Sequence, residues 1–105
     1  MSFSVVYVTA KHEREARKIA KALLKKRLIA CANMVPIKSI YWWEGAIKSD
    51  TEVALIMKTQ DINRESIILE VKAIHSYEVP CIVFLPIEEG NPEFLDWIID
   101  ETTPP

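Results

Sequence analysis

The order in which strand-period and helix-period segments alternate is the strongest constraint on how this chain can fold. Residues 3–9 form a β-branched and aromatic run with apolar side chains at both parities. Such a run predicts a central strand covered on both faces. A helix is predicted over residues 11–28, where Ala16, Ile19, Ala20, Leu23 and Leu24 fall on one stripe. Its acids, Glu13 and Glu15, come early and its bases, Lys25, Lys26 and Arg27, come late, which complements the helix dipole. Residues 29–43 make a long apolar strand interrupted by Asn33, Pro36 and Lys38. Proline cannot donate to a ladder, so this strand belongs at an edge or carries a bulge. Glu44-Gly45 marks a tight turn into a third strand. That strand alternates, with Ile47, Thr51, Val53, Leu55 and Met57 on one face and Lys48, Asp50, Glu52 and Lys58 on the other. Asp61 or Asn63 can cap a second helix, which runs to residue 74 and carries Ile67, Ile68, Val71 and Ile74 inward. A loop over 75–80 leads to a fourth strand at 81–87. Asn91-Pro92-Glu93 then opens a third helix, with Phe94, Leu95, Ile98 and Ile99, ending near residue 101. Residues 102–105 read as a frayed tail.

The resulting order, β-α-β-β-α-β with an extra C-terminal helix, is the ferredoxin-like split β-α-β arrangement of an α+β fold, filling residues 1–105 as one domain. Its antiparallel sheet is expected to run 4-1-3-2, with the two crossover helices on one face. The opposite face is too apolar to stay wet, which predicts a partner, and self-association is the simplest one.

Composition removes several classes of function. The formal charge is −2 with acids and bases interspersed, which disfavours a nucleic-acid binder working through phosphate neutralisation. Lys25, Lys26 and Arg27 read better as a solvated, dipole-matched face than as a nucleic-acid patch. Gly45 and Gly90 are the only glycines, so a glycine-rich phosphate loop and a dinucleotide fingerprint are both missing. No apolar run is long enough to span a bilayer, and residues 1–7 lack the pattern of a signal peptide, so the expected location is the cytoplasm. Cys31 and Cys81 are too few for a disulfide scaffold and form no C-x-x-C.

Several short strings narrow the reading. Cys31-Ala32-Asn33 follows the first helix, and Tyr41-Trp42-Trp43-Glu44-Gly45 closes the long second strand. Glu52 lies in the third strand and Lys58-Thr59 ends it. His75-Ser76-Tyr77-Glu78-Val79-Pro80 follows the second helix, and Phe94-Leu95-Asp96-Trp97-Ile98 lies in the last. In this order and spacing the chain resembles the CutA divalent-cation-tolerance family over almost its whole length. The resemblance implies a homotrimer in which the long hairpin reaches a neighbour. It also implies a role in tolerance of divalent cations, copper especially, and no catalytic reaction. Likeness of such trimers to PII signalling proteins gives an alternative, a regulatory or scaffold trimer that anchors another protein, with metal binding incidental. The chain departs from the family pattern at Ser76, where proline is common after the loop histidine. It departs again at Tyr7-Val8-Thr9, where some members carry a cysteine.

The soft or borderline ligands available to copper or a similar divalent cation are His12, Cys31, His75 and Cys81. In the expected topology Cys31 and Cys81 lie on opposite edge strands, too far apart to share a metal or a disulfide. His12, His75 and Cys81 belong to one end of the sheet, so a metal site is expected to use His75 with Cys81, His12 or a group from a neighbouring subunit. The competing reading makes His75 a dipole partner at a helix C-terminus and the cysteines small core residues. Asp50 and Glu52, at alternate strand positions with Lys58 beyond them, form a second candidate ionic face, for a hard cation or for acid–base work. The alternative is a solvated or salt-bridged strand face. Tyr41, Trp42, Trp43 and Trp97 read as interface anchors, since no basic residues interleave with the strand aromatics as single-strand binding would need. Acylphosphatase chemistry is disfavoured, because no arginine follows the first strand directly; the first is Arg14.

Overall fold

The computed structural model describes residues 2–104. Strand β1 (Phe3–Ala10) leads into α1 (Glu13–Lys25), then β2 (Cys31–Trp43) and β3 (Ala46–Gln60). A single 3-10 turn (Asp61–Asn63) enters α2 (Arg64–Ile74), followed by β4 (Ile82–Ile87) and α3 (Pro92–Glu101). The sheet is antiparallel throughout in the order β2-β3-β1-β4. The expected ferredoxin-like topology is therefore what forms, with β1 central and both proline-containing strands, β2 with Pro36 and β4 with Pro86, at the edges. The β2–β3 ladder passes through Pro36↔Val53 without a slip from Cys31↔Lys58 to Trp43↔Ala46. An edge position alone accommodates the proline, and no bulge is needed.

The core lies between the sheet and the helices α1 and α2. Val6 and Val8 of β1 and Leu55 and Met57 of β3 are fully buried with Ile19, Leu23, Ile67 and Val71. The other face of the sheet is only half covered and apolar, with Val35 of β2 and Val83 and Leu85 of β4 exposed. That is the unroofed face the sequence predicts. A smaller cluster of Phe3, Ala30 and Ile98 seats α3 at the β1 start and β3 end of the sheet.

Helix boundaries depart from the expected ones for identifiable reasons. His12 is the N-cap of α1, its Nδ1 accepting the Glu15 N–H at 3.1 Å, so the helix starts two residues later than its charge pattern suggests. It also ends earlier. Arg27 adopts φ 59°, with Arg27 N–H on the Leu24 carbonyl at 3.0 Å and Leu28 N–H on the Leu23 carbonyl at 2.9 Å. This is the Schellman stop, normally signalled by glycine and here built on an arginine. Neither Asp61 nor Asn63 caps α2 through its side chain. The Asp61 carboxylate instead accepts the Ser4 hydroxyl and pairs with Arg64 at 3.3 Å. Nor is Thr102 part of a frayed tail. It is 4% exposed, accepts the Gln60 side-chain amide at 2.9 Å and donates to the Ile98 carbonyl at 2.6 Å.

The strands differ in length, and this shapes the molecule. β1 pairs with β3 only over Val53–Gln60, so residues 37–43 and 46–52 continue as a two-stranded arm. At 3.3 Å per residue the arm reaches about 20 Å past the three-stranded region, within a longest dimension of 44 Å. Glu44 and Gly45 close its tip with φ 49° and 78°, a type I′ hairpin turn. Ile40, Trp42 and Ile47 project from the arm at 75%, 71% and 64% exposure.

Candidate functional site

Residues directly opposite each other in the ladder share a face. Ser39 stands opposite Asp50, and Tyr41 opposite Lys48. Glu52 is one step nearer the domain, on the same face and opposite Ile37. The end of β1, at Thr9, meets the loop after α2 here, and with Tyr77, Val79 and Cys81 it turns the base of the arm into a cleft.

That loop is fixed by three sets of hydrogen bonds. The His75 ring sits at the C-terminus of α2, with Nε2 2.8 Å from the Thr9 carbonyl, which can only accept. Its Nδ1 accepts the Tyr77 N–H at 3.0 Å. Both ring nitrogens are therefore in use. Glu15 of α1 ties the start of the helix to the same loop, its Oε1 accepting Lys11 N–H at 2.9 Å and its Oε2 accepting Ser76 N–H at 2.8 Å. Burial alone would raise the Glu15 pKa, but the bonds from Lys11 and Ser76 and the proximity of His75 outweigh it and hold it below 4.5. So anchored, the loop lays Tyr77 onto the helix-free face, where its hydroxyl donates to Glu52 Oε2 at 2.6 Å.

The cleft encloses about 550 Å³, and Glu52, Tyr77, Asp50, Tyr41, Trp43 and Cys81 are among its walls. Its volume suits a small ligand. Glu52 is 8% exposed although residues 46–51 before it on β3 are all exposed, so the simple picture of a solvated ionic strand does not describe it. Burial, followed by the Glu52 hydrogen bond and charge, pushes the Tyr77 phenol well above its ordinary value and keeps it a donor. Tyr41 donates to Asp50, and that bond is the first cause of its own raised pKa. Burial and then the Glu52 charge push the Cys81 thiol up, which makes it a poor nucleophile. The arrangement is suited to holding a ligand and lacks an activated attacking group.

The remaining sequence candidates are dispersed. Lys58 shares the strand face of Asp50 and Glu52 but lies about 20 Å beyond Glu52, where its Nζ donates to Asn33 Oδ1 at 2.6 Å. Cys31 and Cys81 are both free, at opposite edges of the sheet. His12 serves as the α1 cap, which occupies Nδ1. Among the described residues, no three His, Cys, Asp or Glu side chains gather closely enough to hold a metal ion. Trp43 lines the cleft, whereas Trp42 faces away from it at the arm. Trp97 packs against Phe94 on α3, ring centroids 5.5 Å apart. Tyr77, Thr9 and Val79 complete the cleft and were missed as site residues. The string around His75 flagged the loop, but nothing in it says that the phenol crosses the sheet to reach a carboxylate 25 residues away.

Comparison with known proteins finds relatives in sequence and in fold. The CutA1 divalent ion tolerance protein family matches residues 4–101. The divalent-cation tolerance protein CutA of Archaeoglobus fulgidus is 55% identical over 97 residues, 92% of this chain and 94% of that one. The protein of the same name from Thermus thermophilus is 48% identical over 99 residues, 93% of this chain and 96% of that one. The solved structure of the periplasmic divalent cation tolerance protein CutA from A. fulgidus superposes with a TM-score of 0.95 at 50% identity, covering 96% of this chain and 99% of that chain.

Proposed function

The chain belongs to the CutA1 divalent ion tolerance family, and from that premise we propose that it is a homotrimeric divalent-cation tolerance protein that binds copper or a similar divalent cation and catalyses no reaction. The arm is the observation that carries the assembly. A two-stranded ribbon is marginal in water without a third layer, yet this one exposes Ile40, Trp42 and Ile47. Along the sheet the helix-free face adds Val35, Val83 and Leu85, and both β2 and β4 offer free edges. An arm that reaches past its own domain can cover its apolar side only on another copy, and Tyr41, Trp42 and Trp43 are residue types that anchor such contacts.

For the metal, His75 is the proposed ligand, with Cys81, His12 or a side chain from a neighbouring subunit. Binding requires the imidazole to give up its bond to Thr9 or to Tyr77, so copper should loosen the 75–79 loop. The cytoplasm is the proposed compartment, supported by two free thiols; cell fractionation tests it, since the A. fulgidus relative is described as periplasmic.

The deciding experiment is the solution mass by light scattering with and without one equivalent of copper. A trimer in both conditions is expected, and a monomer in both overturns the assembly. Calorimetric titration of copper into the His75→Ala variant tests the ligand, and an affinity equal to wild type removes His75 from the site.

A further inference from the structure

The outward face of α1 carries more positive charge than the fold uses. Arg14, Lys18, Lys21 and Lys25 recur at helical spacing and all are exposed. They stand on the side of the helix opposite Ala16, Ile19 and Leu23, which are fully buried. The row they form is about 16 Å long. Among the described residues none of the four takes part in an ion pair. The neighbouring charges are already matched, Arg17 with Glu13, Lys26 with Glu70 and Arg27 with Glu101, while Glu15 is engaged by Lys11 and Ser76. The helix dipole favours a cation only in the last turn, which accounts for Lys25. Arg14 stands in the first turn, where the dipole opposes it, and like charges three and four residues apart repel along the row. The row therefore destabilises the helix that carries it, and an anion brought from outside would relieve that repulsion.

The surroundings of the row narrow the class of anion. Lys18, Lys21, Lys25 and Lys26 frame a shallow groove of about 420 Å³ in which Ala22 is the one short side chain. Ammonium groups thus rim an apolar bed of methyl and lysine stems, which a bare inorganic anion does not use. The helix carries no aromatic side chain, so it offers nothing for nucleic-acid bases to stack on. With these four cations set aside, a chain of formal charge −2 carries −6. A broad anionic surface, such as a bilayer or a duplex, is repelled by the rest of the molecule, whereas a narrow strand touches the row alone. We propose that the outer face of α1 docks an acidic peptide segment of a partner protein, its carboxylates on Arg14, Lys18, Lys21 and Lys25 and an apolar side chain seated over Ala22. α1 packs on the face of the sheet opposite the helix-free one, so the contacts assigned to other copies leave its outer side open.

The test titrates the acetylated, amidated peptide Glu-Glu-Leu-Glu-Glu, which when extended spans about 16 Å, into the full-length protein at low salt. Calorimetry and the backbone amide resonances of α1 read the binding. One peptide per chain should bind saturably, and the affinity should fall about tenfold or more at high salt. Lys18→Glu combined with Lys21→Glu, both exposed and mid-helix, should weaken binding at least about tenfold. The same variant should keep the wild-type Tm or exceed it, because repulsion along the row is relieved. Lys72→Glu, a charge reversal at an exposed position of α2, should leave the affinity within about twofold. Exchanging the peptide's leucine for serine should weaken it several-fold, by loss of the apolar contact. The proposal is overturned if the peptide does not bind, or if the double variant binds it as well as wild type does. It is equally overturned if the serine peptide binds as tightly, or if single-stranded DNA or phosphatidylserine vesicles bind more tightly at equal charge concentration, which would make the row a general polyanion surface. Light scattering on the same samples reads the assembly, so a lost peptide site and a lost trimer are told apart.

Discussion

Glu15 offers the sharpest test of how the site is held. Its carboxylate joins the first residue after β1, through Lys11 N–H at 2.9 Å, to the loop after α2, through Ser76 N–H at 2.8 Å. Glu15→Gln keeps the shape and one carbonyl acceptor but presents an amide N–H to the other backbone donor. A hydrogen bond to a charged group contributes about 1.5–3 kcal/mol. Lys11 and Ser76 are exposed, so water recovers part of the loss, and about 1–2 kcal/mol of destabilisation is expected at neutral pH. For a domain of this size that lowers Tm by roughly 5–15 °C. The pH dependence is the diagnostic part. The folded pKa of Glu15 lies below its ordinary value of 4.5, so folding favours the ionised form. Its charge-dependent stabilisation is complete above 4.5 and is lost as pH falls through the lower folded pKa. Urea unfolding of wild type and variant at equal protomer concentration should show a constant difference above that range and a shrinking one below it. A difference that persists undiminished into strong acid, or no difference at neutral pH, refutes the assigned role of the carboxylate.

Three further outcomes follow from named contacts. Thr102→Val strands the Gln60 amide donor, 2.9 Å from the lost hydroxyl in a buried setting, and should cost about 1–3 kcal/mol in urea unfolding; no loss would mean that α3 is not clamped at its end. Glu44→Asn relieves a left-handed backbone at φ 49° that asparagine tolerates better, and should raise stability by about 0.5–1 kcal/mol by the same assay. In a Cys31→Ser background, Glu52→Gln should speed alkylation of Cys81 at fixed pH, because removing the adjacent charge lowers a thiol pKa that Glu52 helps raise; a slower or equal rate refutes that coupling.

Most of the fold was legible because periodicity and position agree. The two-sided apolar run at residues 3–9 is β1 at the centre of the sheet, and Pro36 marks an edge. The unread parts are those where a side chain serves a distant or atypical role. Arg27 stops α1 in the conformation that glycine usually marks, His12 caps it where Ser, Thr, Asp or Asn would be expected, and Asp61 turns from capping to Arg64 and Ser4. The alternation of β3 placed Asp50 and Glu52 on one side, but alternation carries no information on depth. Only the Tyr77 loop, held by His75 and Glu15, buries Glu52 while leaving Asp50 near the mouth.

The arm shows why the hairpin register matters to both the assembly and the cleft. Its two faces differ: Ile40, Trp42 and Ile47 stand on the side of the helices but beyond their reach, while Ser39, Tyr41, Lys48, Asp50 and Glu52 stand on the side of the cleft. A slip of β2 by one residue would turn its side chains over, placing Trp42 on the side of the cleft and Tyr41 on the side where the arm needs an apolar partner surface. Outside the domain no third strand enforces the pairing, since β1 reaches only as far as Val53. Register there rests on the continuity of the ladder and on the two-residue turn at Glu44-Gly45, whose paired positive φ values match the twist of the strands. A strained glutamate at the tip therefore sits where conformational choice decides both which residues face a neighbouring copy and which line the site.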